Sequence, residues 1–131
     1  MFDYLCIDWG QVRCGLAFGN SQTGLILPFA KNLPFDDIFI VLKKELTERK
    51  IKNIVVGRPT NFHFKDTEVT LKIENFIKEL VKTHPETIIH TENERNSSKS
   101  VKSSGTRVDK FNINHLAAMQ ILENFFARNS I

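Results

Sequence analysis

The chain reads as an α/β domain: a five-stranded mixed sheet in the element order β-β-β-α-β-α-β-α, with helices packed on it. Three observations predict this class. The opening of the chain holds three short apolar runs separated by turn-forming residues. The apolar period then changes to that of a helix. Two further apolar, β-branched runs follow, each succeeded or preceded by a helical segment. With 131 residues, 41% of them hydrophobic and 25% charged, one globular domain over 1–131 is expected and a disordered chain is excluded.

Each element has its own justification. Residues 4–9 (YLCIDW) are an apolar run with one acid near its end, the pattern of a central strand. Gly10-Gln11-Val12 turns the chain into a second strand over Cys14–Gly19 (CGLAFG), and Asn20–Gly24 (NSQTG) is a hairpin turn. Leu25–Ala30 makes a third strand, completing an antiparallel meander. Pro28 lies within it and has no N–H to give a neighbour, so an edge position is expected. From Asp36 to Arg49, after Pro34, the residues Ile38, Val41, Leu42 and Leu46 recur at helical spacing. Asn53–Gly57 (NIVVG) is apolar as a strand covered on both faces should be, and belongs beside the first strand after a right-handed crossover. Val69, Ile73, Phe76, Ile77 and Leu80 mark a second helix with Lys72, Lys78 and Glu79 outward. His84-Pro85 ends it, and Thr87–Thr91 is the fifth strand. Residues 96–107 form a polar, basic loop. A last helix runs from about Asn112 to Arg128, its inner stripe Ile113, Leu116, Ala117, Ile121 and Phe125.

Composition narrows the class of function. No window approaches 18 uncharged apolar residues, so no membrane span is expected, and the N-terminus lacks the basic start of a signal peptide. Cys6 and Cys14 form no CxxC or Cys/His cluster and read as buried reduced thiols, which fits a cytoplasmic protein. The net charge of +3 permits an anionic partner without requiring one. Its distribution says more: Arg95, Lys99, Lys102, Arg107 and Lys110 crowd one segment against the single acid Asp109. His63, His84, His90 and His115 show no metal-ligand spacing.

Asp8 is the first candidate for chemistry. A carboxylate closing an apolar central strand is costly to bury unless it meets a cation or donors, and Gly10 and Gly15 allow close approach of backbone or ligand. Ligands gather at such strand ends, where Arg58 and the Glu92–Arg95 segment also belong. The plainer reading is an Asp accepting backbone hydrogen bonds. Glu94 directly follows the fifth strand and shares side-chain parity with Glu92, so both face one edge if the strand continues; otherwise the segment is a solvated strand-end charge paired with Arg95. Asn114 stands early in the last helix, with Ala117 and Ala118 three and four positions on, and serves either a polar site or an N-cap, a role Asn112 also fits. Arg13, Arg58, Arg95, Lys99, Lys102 and Arg107 offer phosphate contacts, Arg through its bidentate fork. Phe62 and Phe64, alternating with His63 and Lys65, either stack on bases or fold back onto the core.

Taken together, these motifs resemble the YqgF-type family, also called RuvX or Holliday-junction-resolvase-like, on the ribonuclease-H-like fold. The family opening Asp-x-Gly-x-x-Arg-x-Gly-x-Ala is matched by Asp8, Gly10, Arg13, Gly15 and Ala17. Val-Gly-x-Pro is matched by Val56-Gly57-Arg58-Pro59, and Asp-Glu-Arg followed by Ser or Thr stands here as Asn93-Glu94-Arg95-Asn96-Ser97-Ser98. The closing helix matches through Asn114-His115-Leu116-Ala117-Ala118 and Ile121-Leu122. The resemblance spans essentially the whole chain. It implies a divalent-metal nuclease, using Mg²⁺ or Mn²⁺, that trims the precursor of 16S ribosomal RNA. The family's three acids fall on Asp8, Glu94 and Asn114, with Asp8 and Glu94 as metal ligands and an amide as the third member. The acid before the family's Glu is likewise replaced, by Asn93. An Asn oxygen can ligate but brings no charge and accepts no proton, and Asp109 is the nearby acid that could replace it. RNA is the partner so implied, with structured DNA as the alternative. Two further readings of the same fold are a nucleic-acid-binding module with impaired cleavage and a junction-type DNA resolvase. The Asp8-x-Gly10 opening also resembles that of actin-like ATPases, whose second half does not fit in 131 residues.

Overall fold

Alternation of side chains along the first two strands decides how the molecule is layered. In the computed structural model, which describes residues 2–9, 13–29, 33–58, 67–93 and 113–129, β1 (Tyr4–Asp8) and β2 (Arg13–Gly19) pair antiparallel, with Tyr4 opposite Gly19 and Asp8 opposite Gly15. Along β2 the large residues Cys14, Leu16 and Phe18 alternate with Gly15, Ala17 and Gly19. One face of the strand is therefore bulky and the other nearly bare.

The remaining elements build outward from this pair. β3 (Ile26–Pro28) and β4 (Leu33–Pro34) each pair antiparallel with β2. A 3₁₀ turn at Phe35–Asp37 leads into α1 (Ile38–Arg49), which closes on Lys50 in the left-handed region at φ 56°, its N–H donating to the Leu46 carbonyl. β5 (Asn53–Arg58) runs parallel to β1, α2 (Thr67–Thr83) follows, and β6 (Ile88–Asn93) runs parallel to β5. The last element is α3 (Ile113–Arg128). The strand order is β3-β2-β1-β5-β6, with β4 off this path beside β2.

Two apolar layers follow from the alternation. Leu5, Ile7, Leu16, Phe18, Ile54 and Val56 face Ile38, Leu42 and Leu46 of α1 and Ile73, Phe76 and Leu80 of α2. Cys6, Ala17 and Val55 face the other way, against Ala118, Ile121, Leu122, Phe125 and Phe126 of α3. A mixed sheet covered on both sides is the ribonuclease-H-like arrangement expected. Strand 1 is central and beside the apolar NIVVG strand, and the Pro28 strand ends the sheet order. Cys6 and Cys14 are buried and in no disulfide. Among the described residues no helix is long and apolar enough to cross a membrane.

The strand expected over Thr87–Thr91 runs on to Asn93, that expected over Leu25–Ala30 shortens to Ile26–Pro28, and two larger details differ from the sequence expectation. Leu33–Pro34 adds a sixth strand among the described residues, too short to show an alternating pattern. The inner stripe of α3 is also wider: Ala118, Leu122 and Phe126 are buried beside Ile121 and Phe125, while Ala117 is only half-buried. The side chains of Ile113 and Leu116 lie outside the described residues. The cause is the bare face of β2, over which the helix sinks far enough to bury a broad arc. At Gly19 the approach leaves no room. A Cβ there would stand 2.6 Å from Leu122 Cδ2 and 3.0 Å from the Phe126 ring. Leu122 is itself fully buried and has nowhere to swing. Gly19→Ala is expected to destabilise the fold by about 1–3 kcal/mol through overpacking, read as a lower urea midpoint.

Local polar contacts hold the ends of the sheet. Asn20 Oδ1 accepts from the N–H groups of Gln22 and Thr23 at 2.9 and 3.1 Å, and Gly24 takes φ 80°, so the NSQTG turn forms as its residues predict. His90 sits between Tyr4 and Phe125, with ring centroids 5.8 and 5.0 Å away, and its Nε2 lies 3.2 Å from Asn53 Oδ1. Burial holds the pKa of His90 below the usual imidazole value. That of His84 is lowered by burial and by nearby Lys43. For a base depressed in the folded state, the unfolded chain binds more protons, so stability is complete above about pH 6.5 and falls as pH drops below it. Thermal melts from pH 7.5 to 5.5 are expected to show this fall, and His90→Phe, which keeps a ring in place, is expected to flatten it.

Candidate functional site

Strand register assembles the site. Asp8 ends β1, opposite Gly15 of β2 on one side and Gly57 of β5 on the other, and Gly57 in turn pairs with Glu92 of β6. By alternation Asp8 shares the face of Cys6, and Glu92 shares that of His90, the face covered by α3. Gly15, Asp8, Gly57 and Glu92 thus form one row across the sheet beneath the level of α3. The two glycines leave both flanks of the half-buried Asp8 without a side chain. Asp8 and Glu92 stand two strand spacings apart, about 10 Å between Cα atoms.

The same end of the sheet collects other residues singled out in the sequence. Arg58 and Asn93 end β5 and β6 in register with each other, and Arg13 begins the antiparallel β2. Asn114 lies in the first turn of α3, one turn before Ala118, which packs in the cluster holding Cys6. With α3 beginning at Ile113, Asn114 stands inside the helix rather than at its cap. The side chains of Arg13, Arg58, Asn93 and Asn114 lie outside the described residues, as do Glu94, Arg95, Lys99, Lys102, Arg107, Asp109, Phe62 and Phe64. Among the described residues no group of three or more His, Cys, Asp or Glu gathers as a metal cluster.

Glu92 departs from the reading of a solvated strand-end charge. It is 5% exposed, and its Oε1 accepts from Arg128 Nη2 at 2.5 Å. Burial raises its carboxyl above the ordinary range, and the Arg128 guanidinium opposes that rise. Arg128 remains largely in solvent, with 61% of its side chain exposed. Parity with His90 was the only trace of this burial in the sequence. The partner, 36 residues away, had none.

Known proteins match this chain along its length. The family model described as "RuvX: Holliday junction resolvase" matches residues 3–128. A protein of Mycoplasma mobile named "Putative pre-16S rRNA nuclease" is 33% identical over 129 residues, covering 92% of this chain and 89% of its own. Proteins of the same name from Maridesulfovibrio salexigens and Francisella philomiragia are 31% and 29% identical over 132 residues. The match covers 95% of this chain in both cases, with 97% of the first relative and 96% of the second. With a family match that spans the sheet, the Asp8 row and the whole of α3, the chain belongs to the RuvX family of Holliday-junction-resolvase-like proteins.

Proposed function

We propose that this protein is a divalent-metal nuclease that trims the precursor of 16S ribosomal RNA in the cytoplasm, as one domain. The observation that carries the reading is the row Gly15-Asp8-Gly57 at the ends of β1 and β5, in a chain whose relatives bear the name of that activity. The donors suit a hard cation. Asp8 and Glu94 carry carboxylate oxygens and Asn114 an amide oxygen, the donor type that Mg²⁺ and Mn²⁺ prefer. In this reading a hydrated ion and a phosphate sit beside Asp8, whose row neighbours Gly15 and Gly57 carry no side chains. Asp8 and Glu94 hold the ion in this reading, and Asn114 lends an uncharged oxygen. When bound, the metal supplies Lewis acidity toward a phosphoryl oxygen and an acidified water.

The chain's own residues do the rest. Asp8 anchors the charge at a fixed point of a rigid strand, which pre-sets its position relative to the backbone row. Arg13 and Arg58, at the same sheet end, grip phosphate oxygens on either side, and Arg95, Lys99, Lys102 and Arg107 extend that contact along the strand of RNA. The experiment is cleavage of a labelled single-stranded RNA oligomer by the purified chain with Mg²⁺, with Mn²⁺ and with chelator, beside a four-way DNA junction. Metal-dependent RNA cleavage is expected. Cleavage of the junction but not the RNA, or of neither with either ion, overturns the reading.

A further inference from the structure

The function proposed above makes no use of the Glu92–Arg128 contact, in which a buried carboxylate meets a guanidinium that stays largely in solvent. With 6% of its side chain exposed, Glu92 gives up most of its hydration. What an ion pair adds is direction, because a guanidinium N–H must aim at one oxygen.

The pair stands at a telling place. Glu92 lies in the row of Asp8 and precedes Asn93, the last residue of β6, from which the chain runs on to Glu94. Arg128 is the last residue of α3, whose first turn holds Asn114. Two residues back along β6, His90 stacks on Phe125 of α3 with centroids 5.0 Å apart. The final turn of α3 is therefore tied to β6 at two successive points. Apolar contacts also hold this part of α3: Leu122 and Phe126 lie against Gly19, and Phe126 against Tyr4 at 5.2 Å between rings. Such contacts hold a helix down but resist rolling or sliding less than a directed bond does.

We propose that Glu92 and Arg128 form a positioning clamp that fixes α3 against the end of β6 and so sets where Asn114 stands relative to Asp8. Its meaning for catalysis rests on the nuclease reading; the clamp itself is a property of the fold. A helix moves as a rod, and about 21 Å of it joins Arg128 to Asn114, so a roll released at one end is carried to the other. A shift of about 1 Å at a reacting group costs up to about a hundredfold in rate.

Arg128→Ala, Arg128→Lys and Glu92→Gln in the full chain test this, with amide hydrogen exchange as the first readout. Mn²⁺ affinity and RNA cleavage are the second. In Arg128→Ala, exchange at Ala117 and Ala118, whose N–H groups close the first turn of α3, is expected to quicken about tenfold. Mn²⁺ binding and kcat are each expected to fall about tenfold while KM for RNA stays unchanged. Arg128→Lys restores part of each, and Glu92→Gln shifts all of them in the direction of the alanine variant. If exchange changes only around Phe125–Asn129 and Mn²⁺ affinity and kcat match the unaltered chain, the pair is a structural contact and the proposal is overturned. An unaltered chain that neither binds Mn²⁺ nor cleaves RNA overturns the nuclease reading alone, and the exchange comparison still decides the clamp.

Discussion

Asp8→Asn is expected to slow RNA cleavage by about a thousandfold while the fold survives. The substitution keeps size and shape and removes one negative charge. A metal's stabilisation of the transition state is worth several kcal/mol, and each 1.36 kcal/mol is tenfold in rate, so losing about 4 kcal/mol gives about a thousandfold. Stability is spared for a structural reason. Asp8 is half-buried at a strand end, and the amide keeps the size and shape of the carboxyl it replaces. Single-turnover cleavage at saturating Mn²⁺ measures the loss, and thermal melting checks the fold. Cleavage that proceeds unchanged in the variant would remove Asp8 from the mechanism.

The second large effect is a gain. Asn114→Asp is expected to tighten Mn²⁺ binding and raise cleavage by about tenfold or more, because carboxylate count tunes divalent affinity steeply. Instability does not mask the result. A carboxylate in the first turn of α3 faces the positive end of the helix dipole and adds about 0.3–1 kcal/mol of stability. A gain of that size marks a nuclease site weakened by the amide. Unchanged binding and rate place residue 114 outside the metal's coordination.

The parts of this site that were legible in the sequence are those a single strand can encode. An acid closing YLCID and an uninterrupted NIVVG run announce a polar end on a doubly covered sheet, and both strands lie at the centre as read. The row that frames Asp8 was not legible, because Gly15 and Gly57 meet it only through register, which depends on pairings between distant segments. The burial of Glu92 was hidden for the same reason. Its neighbours in the chain are polar, while the guanidinium that pairs with it comes from α3. The breadth of the α3 stripe was hidden too, since it answers to small residues on β2 rather than to the helix's own period.

The two cysteines carry a consequence of the layering. Cys6 is sealed between β1 and α3, and Cys14 between β2 and the helices on the far side, each with no exposed surface. The molecule thus carries one native chemical reporter in each half of its interior. A thiol reagent reaches Cys6 only when α3 lifts, and Cys14 only when the opposite layer opens. Their separate labelling rates would time the breathing of the α3 layer against that of the opposite one, with no probe introduced.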